Sequence, residues 1–107
     1  MADISSKLEG KVVSITGASG YIGSALTQEL EKYPLKIIRI SRKQLTPKDG
    51  VEDWVLNLNK KSSWKKIVSK SDIIFHLSGN TSIYDAEKDP KESLISTLFP
   101  IIQLINA

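Results

Sequence analysis

The residues whose types and spacing best suit chemistry lie at positions 16–23, which spell TGASGYIG. They follow a run of β-branched residues and precede apolar positions at helical spacing, so they are predicted to form a strand–turn–helix unit. In such a unit Gly17 makes the sharp exit from the strand, Gly20 lets the backbone approach a pyrophosphate, and Gly23 lets the helix pack closely on the strand. The N–H groups and positive dipole end of the helix would face the phosphates. The unit is therefore predicted to bind a dinucleotide.

The spacing of the glycines limits which nucleotide site this is. Gly-x-x-Gly-x-x-Gly differs from the Gly-x-Gly-x-x-Gly of typical dehydrogenases, and no Gly-Lys-Ser/Thr follows, which excludes a P-loop. The alternative interpretation is an ordinary strand–turn–helix joint with chance glycines. The dinucleotide site is favoured because a strand precedes the turn and a helix and a second strand follow it. The predicted contact residues are Gly17, Ser19, Gly20, Tyr21, Ile22 and Gly23.

The end of the second predicted strand indicates which dinucleotide binds. NAD-binding proteins place Asp or Glu there, about 20 residues past the glycines, to hold the ribose 2′-hydroxyl. This chain has Ser41 at that point, followed by Arg42 and Lys43. A carboxylate would repel a 2′-phosphate, whereas a small hydroxyl beside a guanidinium would accept one. We therefore expect NADP in preference to NAD; the alternatives are NAD itself, or two cations that are only solvated loop charges.

The elements that position these residues are predicted to form an α/β fold. Apolar strands without alternation indicate burial on both faces, and hence a parallel sheet with helices on each side. Right-handed crossovers then give the strand order 3-2-1-4 of a doubly wound Rossmann sheet. The predicted strands cover 11–16, 36–41, 51–58 and 72–78, and the predicted helices cover 21–33, 62–69 and the residues from about Lys91 onward.

Two apolar surfaces of this predicted sheet lack cover. Strand four would be an unpaired edge although its sequence is typical of a central strand. The last helix, over 94–105, is apolar on more than one side. These surfaces favour a partial, truncated Rossmann sheet from a larger fold; the alternative is burial in an oligomer, such as a homodimer through the C-terminal helix. Residues 1–10 are predicted to be a tail, and residues 11–107 the N-terminal part of a dinucleotide-binding Rossmann domain.

Composition and charge exclude several classes of site. The 107 residues allow one domain, and the absence of cysteine excludes disulfides, thiolate catalysis and cysteine metal sites. The N-terminal residues have no apolar run typical of a signal peptide, and no stretch is long enough to span a membrane, so we expect a cytoplasmic protein. The net charge is only +3. One tryptophan accompanies the lysines of 60–70, which favours a solvated helix face over a nucleic-acid groove.

Several segments resemble one family. Residues 16–23 resemble the fingerprint of the extended short-chain dehydrogenase/reductase family, the nucleotide-sugar epimerases and dehydratases. The sequence DIIFHLSG at 72–79 resembles its fourth strand, Asp89-Pro90 resembles the pair before its fourth helix, and 96–107 resembles that helix. The chain departs from the family at Ser96, where Asn is frequent, and at Pro100, where Thr is usual and where proline should kink the helix.

The resemblance implies further site residues and a function. Asn57 and Leu58 stand where the family usually has Asp and an apolar residue that touch adenine, although Asn57 also suits a strand-end turn. Leu77, Ser78 and Gly79 would line the ribose and nicotinamide side. The chain would be the NADP(H)-binding portion of a nucleotide-sugar epimerase, dehydratase or reductase, inactive alone, whose full-length parent takes a nucleotide-sugar-like substrate. The alternative is a dinucleotide-sensing regulator or scaffold without catalysis.

Two apparent catalytic or metal-binding residues are interpreted differently. Tyr84 and Lys88 spell the family's Tyr-x-x-x-Lys signature, but the family's pair follows strand five, beyond this chain, so no catalytic residue is predicted here. His76 is the sole histidine, so no zinc site is expected. It lies within a buried strand pattern and is predicted to be a core histidine with satisfied hydrogen bonds.

Overall fold

The computed structural model describes residues 7–78 and 100–105. The elements within 7–78 alternate between strand and helix in the predicted order. They are β1 (Val12–Thr16), α1 (Tyr21–Leu30), β2 (Lys36–Ser41), β3 (Val51–Val55), α2 (Lys61–Lys70) and β4 (Ile73–His76), and residues 100–105 are helical.

The four strands form one parallel sheet in the order β3-β2-β1-β4, which confirms the predicted doubly wound Rossmann topology. In this register Thr16 at the end of β1 is level with Ile40 on β2 and His76 on β4. Ser41 is likewise level with Val55, the last residue of β3. The carboxyl ends of all four strands therefore meet at one edge of the sheet.

Two helices cover opposite faces of this sheet because side chains alternate along each strand. Val13 and Ile15 of β1 and Ile37 of β2 form one core cluster, to which α1 contributes Leu30. The other cluster consists of Ile38, Ile40, Leu58, Trp64 and Ile67, and Leu104 packs against it. Complete burial of one such side chain stabilises the fold by about 1.5–3 kcal/mol.

Two element boundaries differ from the prediction by three residues, and the others within residues 7–78 differ by at most two. The helix α1 ends at Leu30 rather than at Tyr33, and a turn with the Tyr33 N–H donated to the Leu30 carbonyl leads to Pro34. The strand β3 ends at Val55, three residues earlier than predicted, because Asn57 turns the chain. Its side-chain oxygen accepts the N–H of Asn59 at 2.9 Å, which is a local turn that competes with strand pairing.

Lysines cover the exposed surface of α2 and of its N-cap. The five lysines at 60, 61, 65, 66 and 70 are exposed, and the ammonium of Lys66 lies 4.3 Å from the centre of the Trp54 ring. Within residues 7–78 and 100–105, no helix has the length and apolar character needed to cross a membrane. The same residues contain no cluster of three or more His, Asp or Glu side chains that could hold a metal ion.

Candidate dinucleotide-binding site

The turn after β1 passes directly against the exit of β4, and this contact requires glycine at position 17. Gly17 has φ of 67°, a left-handed conformation that side chains rarely adopt. A Cβ at this position would lie 2.7 Å from the carbonyl carbon and oxygen of Leu77 and from the backbone nitrogen of Ser78. Residue 17 is therefore fixed both by its backbone conformation and by the backbone of the neighbouring strand exit.

The start of α1 packs on the same turn through Gly23. A Cβ there would lie 2.2 Å from the Gly17 carbonyl oxygen and 2.9 Å from the Ala18 Cα. The helix can approach the turn this closely only because residue 23 has no side chain, as the spacing of the glycines predicts. The first turn of α1 is thereby held over the carboxyl edge of the sheet.

The N-terminus of α1 has features of an anion-binding site. Gly20 is the N-cap residue, and no side chain caps the helix there. The first N–H groups of a helix have no partner within it, and the first turn of α1 contains no acidic residue. Ser19, Gly20, Tyr21 and Ile22 are all exposed, with Tyr21 92% exposed. The positive end of the helix dipole is thus accessible at this edge.

A hydrogen-bond network ties the end of β1 to the exit of β4. The Thr16 hydroxyl accepts the Leu77 N–H at 3.0 Å and the Ser78 N–H at 3.2 Å. It also lies 2.7 Å from Nδ1 of His76. Because both lone pairs of this oxygen already accept N–H groups, its own hydrogen is assigned to Nδ1. That assignment makes His76 a neutral imidazole with its proton on Nε2.

The surroundings of His76 favour the same neutral form. Its ring meets the Trp64 ring edge to face, with 5.3 Å between centroids. Burial lowers the pKa of the imidazole below its ordinary value of 6.5. Nε2 is buried without a hydrogen-bond partner in the part of the chain that the structure describes. The expected core histidine is therefore satisfied at Nδ1, but not at Nε2 within that part.

The end of β2 is open and basic. Ser41 is half-buried, and its hydroxyl donates to the Lys43 carbonyl. Arg42 and Lys43 are exposed, and neither forms an ion pair with another residue of 7–78 or 100–105. The two cationic side chains and the Ser41 hydroxyl therefore lie at the end of β2, next to the glycine turn.

The residues after β3 have two different environments. Asn57 is exposed and forms the turn with Asn59, which agrees with the alternative of a strand-end turn. Leu58 is only 9% exposed and packs in the core cluster under α2, while its carbonyl accepts the Trp64 indole N–H at 2.8 Å. Leu58 thus has a structural role that the sequence pattern does not indicate.

Some predicted features lie outside the described residues. They include Gly79 in the predicted nicotinamide side, the Tyr84–Lys88 signature, Asp89-Pro90 and the first part of the apolar C-terminal helix. Among the described positions, sequence reasoning missed the joining role of Thr16. A hydroxyl at the end of an apolar β-branched strand marks Thr16 as a candidate, but its partners depend on the strand register.

Several solved enzyme structures have a similar fold. An epimerase from Methanothermobacter thermautotrophicus has a TM-score of 0.83 and 21% identity, over 97% of this chain and 33% of its own. The enzyme WbmF of Bordetella bronchiseptica, solved in complex with NAD+, has a TM-score of 0.80 and 16% identity over 94% and 32%. Uronate dehydrogenase from Agrobacterium tumefaciens has a TM-score of 0.74 and 20% identity over 90% and 35%. This chain spans about a third of the length of these structures.

A family model provides the assignment that these distant structures do not. The model of the NAD dependent epimerase/dehydratase family matches residues 13–101, which include the glycine turn, the basic end of β2 and the exit of β4. The match covers most of the chain and agrees with the resemblance seen in residues 16–23 and 72–79. The chain belongs to the NAD dependent epimerase/dehydratase family.

Proposed function

We propose that this chain is the NADP(H)-binding portion of a nucleotide-sugar epimerase, dehydratase or reductase. One observation carries the proposal: the uncapped start of α1 and the basic end of β2 lie at adjacent ends of neighbouring parallel strands. A dinucleotide has phosphates and a ribose that need these two kinds of partner. Ligands of open α/β sheets bind at this carboxyl edge.

The glycine turn would hold the pyrophosphate. Its backbone approaches the ligand without side-chain obstruction at Gly20, where a Cβ would meet only the Gly17 carbonyl oxygen, at 3.3 Å. The exposed N–H groups of the first helical turn would donate to phosphate oxygens. Ser19, Tyr21 and Ile22 surround this position on the exposed side of the turn.

The 2′-phosphate of NADP would lie at Ser41, Arg42 and Lys43. A guanidinium offers two parallel donors to a phosphate and remains charged at every relevant pH. The family description and WbmF both name NAD, so NAD is the competing cofactor. The absence of a carboxylate at position 41 favours NADP because nothing there would repel the phosphate.

The remaining contacts would position the two ends of the cofactor. Asn57 uses one lone pair of its side-chain oxygen in a local turn, so the second lone pair could accept the adenine amino group. Leu58 would support the adenine side from the core, since it is almost fully buried. Leu77, Ser78 and Gly79 would line the ribose and nicotinamide side.

The chain would position a hydride transfer rather than carry it out. When bound, the nicotinamide supplies hydride exchange with a carbon of the substrate. The residues of this chain bind phosphates, select the ribose and fix the backbone beside the nicotinamide. The catalytic Tyr-x-x-x-Lys pair of the family lies further along the sequence of its members. We therefore propose that this chain does not convert substrate by itself.

Calorimetric titration with NADPH and with NADH tests this proposal. We expect NADPH to bind more tightly, and Arg42→Ala to lower that preference by about tenfold, the value of one charge-assisted hydrogen bond. Lys70→Ala is the matched control, because it removes one exposed cation from the last turn of α2, away from the carboxyl edge. Equal binding of both cofactors, unchanged by Arg42→Ala, would contradict the NADP assignment. No binding of either cofactor to the folded protein would contradict the whole proposal.

A further inference from the structure

A buried ion pair joins β2 to β3 directly below the loop that follows Arg42. Arg39 and Asp53 are level in the strand register, and each side chain is 10% exposed. The Arg39 Nε donates to Oδ1 of Asp53 at 2.6 Å, and its Nη2 donates to Oδ2 at 2.7 Å. This is a two-point, fork-to-fork contact, which fixes the plane of the guanidinium.

The same guanidinium holds the backbone of the loop over 42–50. Its Nη2 also donates to the Thr46 carbonyl at 2.8 Å. The hydroxyl of Ser41 holds the loop at a second point, the Lys43 carbonyl. The carbonyls of Lys43 and Thr46 are thus both held by side chains of β2. The exposed side chains of Arg42 and Lys43 therefore project from a loop whose backbone is held at two points.

Stability alone does not account for this arrangement. A buried ion pair gains little over apolar residues of similar volume, because both charges lose their hydration. Arg39 has little surface to offer a ligand phosphate, since it is 9% exposed and its Nε and Nη2 donors are committed to Asp53 and Thr46. Its distinctive contribution is geometric, because only a planar fork with several donors can bind a carboxylate and a loop carbonyl together.

We infer that Arg39 is a positioning residue that sets dinucleotide selectivity by holding the 42–50 loop through Thr46, with Asp53 fixing its guanidinium. The inference rests on the proposed function, in which Arg42 binds the 2′-phosphate. The phosphate-binding geometry of Arg42 depends on where its backbone lies, and displacements of about 1 Å are enough to weaken a positioned contact. The pyrophosphate site at the glycine turn does not depend on this loop.

The test compares selectivity rather than affinity. The double variant Arg39→Met, Asp53→Leu removes both buried charges together, so no unpaired charge remains. Titration of the purified protein with NADPH and NADH is expected to show a loss of about tenfold in NADPH preference, with NADH affinity within about twofold of the parent. Arg39→Lys retains the charge but not the fork, and is expected to lose preference in the same direction while remaining folded.

The matched control is a second ion pair between the same two strands. Lys36 and Glu52 are 3.3 Å apart near the first residues of β2 and β3, are largely exposed, and pair with each other rather than with Thr46. The double variant Lys36→Met, Glu52→Gln should leave the preference unchanged. Adding Arg42→Ala to the Arg39/Asp53 double variant should cause no further loss, because both changes act on the same contact.

The outcomes separate this inference from the proposed function. An unchanged preference in both Arg39 variants, while Arg42→Ala removes it, would overturn the positioning role and leave the NADP assignment intact. Equal weakening of NADPH and NADH would also overturn it, because that result means a purely structural role. If Arg42→Ala itself has no effect on preference, the NADP assignment fails and the inference fails with it.

Discussion

The two halves of the carboxyl edge differ in the groups that they present, which are backbone groups in one half and side chains in the other. At β1 and β4 the site consists mainly of packed backbone: Gly17 lies against the Leu77–Ser78 peptide, and the Thr16 hydroxyl accepts the N–H groups of Leu77 and Ser78. At β2 and β3 the edge is open, and exposed side chains such as Arg42 provide its chemistry. In the proposed function, the first half would hold the pyrophosphate and nicotinamide parts that all nicotinamide dinucleotides share. The second half would hold the ribose, where NAD and NADP differ.

This comparison predicts that changes in the two halves have different consequences. Changes at β1 and β4 should reduce stability and weaken both cofactors equally, because they disturb a packed backbone. Changes at β2 and β3 should alter the choice of cofactor and leave the free energy of unfolding nearly unchanged.

The largest effect is expected from Gly17→Ala. The new Cβ would meet the Leu77 and Ser78 backbone at 2.7 Å, in addition to the cost of a left-handed φ. Overpacking and strain together should lower the free energy of unfolding by about 3 kcal/mol or more. Urea denaturation followed by circular dichroism measures this loss.

Gly50→Ala separates the two causes of that loss. Gly50 has a similar φ of 76°, but no atom lies within 4 Å of the position of its Cβ. It should therefore lose only the conformational part, about 1–2 kcal/mol. Equal losses at the two glycines would show that the close approach of β1 to the β4 exit does not stabilise the fold.

The next largest effect is expected from Thr16→Val. Valine has the shape of threonine but leaves the Ser78 N–H without its partner. The Leu77 N–H would keep only the Thr16 carbonyl, at 3.3 Å, and His76 Nδ1 would keep only Ser78 Oγ, at 3.2 Å. One unsatisfied N–H and two weakened contacts should cost about 1–3 kcal/mol, and NADPH and NADH should weaken equally. Thermal unfolding and titration of both cofactors measure the two effects, and Thr16→Ser is the control because it retains the hydroxyl. A selective loss of one cofactor would break the proposed division between the halves.

The division also explains how much of the molecule is predictable from its sequence. Strand order and the roles of Gly17 and Gly23 follow from local patterns, because apolar runs and glycine spacing are properties of short segments. The bond between Thr16 and His76 joins residues 60 positions apart and depends on strand register to within one residue. No local pattern contains that information.

Residues in the second half show the same limit. Arg39 lies in the apolar run KIIRIS and Asp53 in VEDWV, and nothing in either segment pairs them. Their contact requires β2 and β3 to be level at these residues. Leu58 is another example, because its burial in the core cluster under α2 depends on the turn at Asn57 and on packing against Trp64.

A smaller effect, on selectivity alone, is expected from Ser41→Asp. A carboxylate at the end of β2 would repel a 2′-phosphate and accept a ribose hydroxyl. We expect NADPH preference to fall by about tenfold or more, which corresponds to about 1.4 kcal/mol, while the unfolding midpoint stays nearly constant. Competitive titration of the two cofactors provides the measurement, and Ser41→Ala is the control that removes the hydroxyl without adding charge. Selectivity that is identical in the Asp and Ala variants would show that charge at this strand end does not choose the cofactor.

The smallest effect is a pH dependence of stability that originates at His76. Burial lowers the pKa of the folded imidazole below its ordinary value of 6.5, so the unfolded chain binds more protons below that pH. Its contribution to stability should be complete above about pH 6.5 and should decrease as the pH falls toward the folded pKa, by at most about 1.4 kcal/mol per pH unit. Protonation would also place a second donor on Nδ1, facing the Thr16 oxygen whose lone pairs already accept two N–H groups.

His76→Asn isolates this effect because asparagine can retain an acceptor near the position of Nδ1 and cannot be protonated in this range. Thermal unfolding between pH 7.5 and 5.5 should give a melting temperature that decreases in the parent and stays nearly level in the variant. The chain contains one histidine, so no other imidazole contributes to the slope. An equal pH dependence of the melting temperature in both proteins would mean that His76 does not titrate differently in the folded and unfolded chains. That result would contradict the predicted pH dependence.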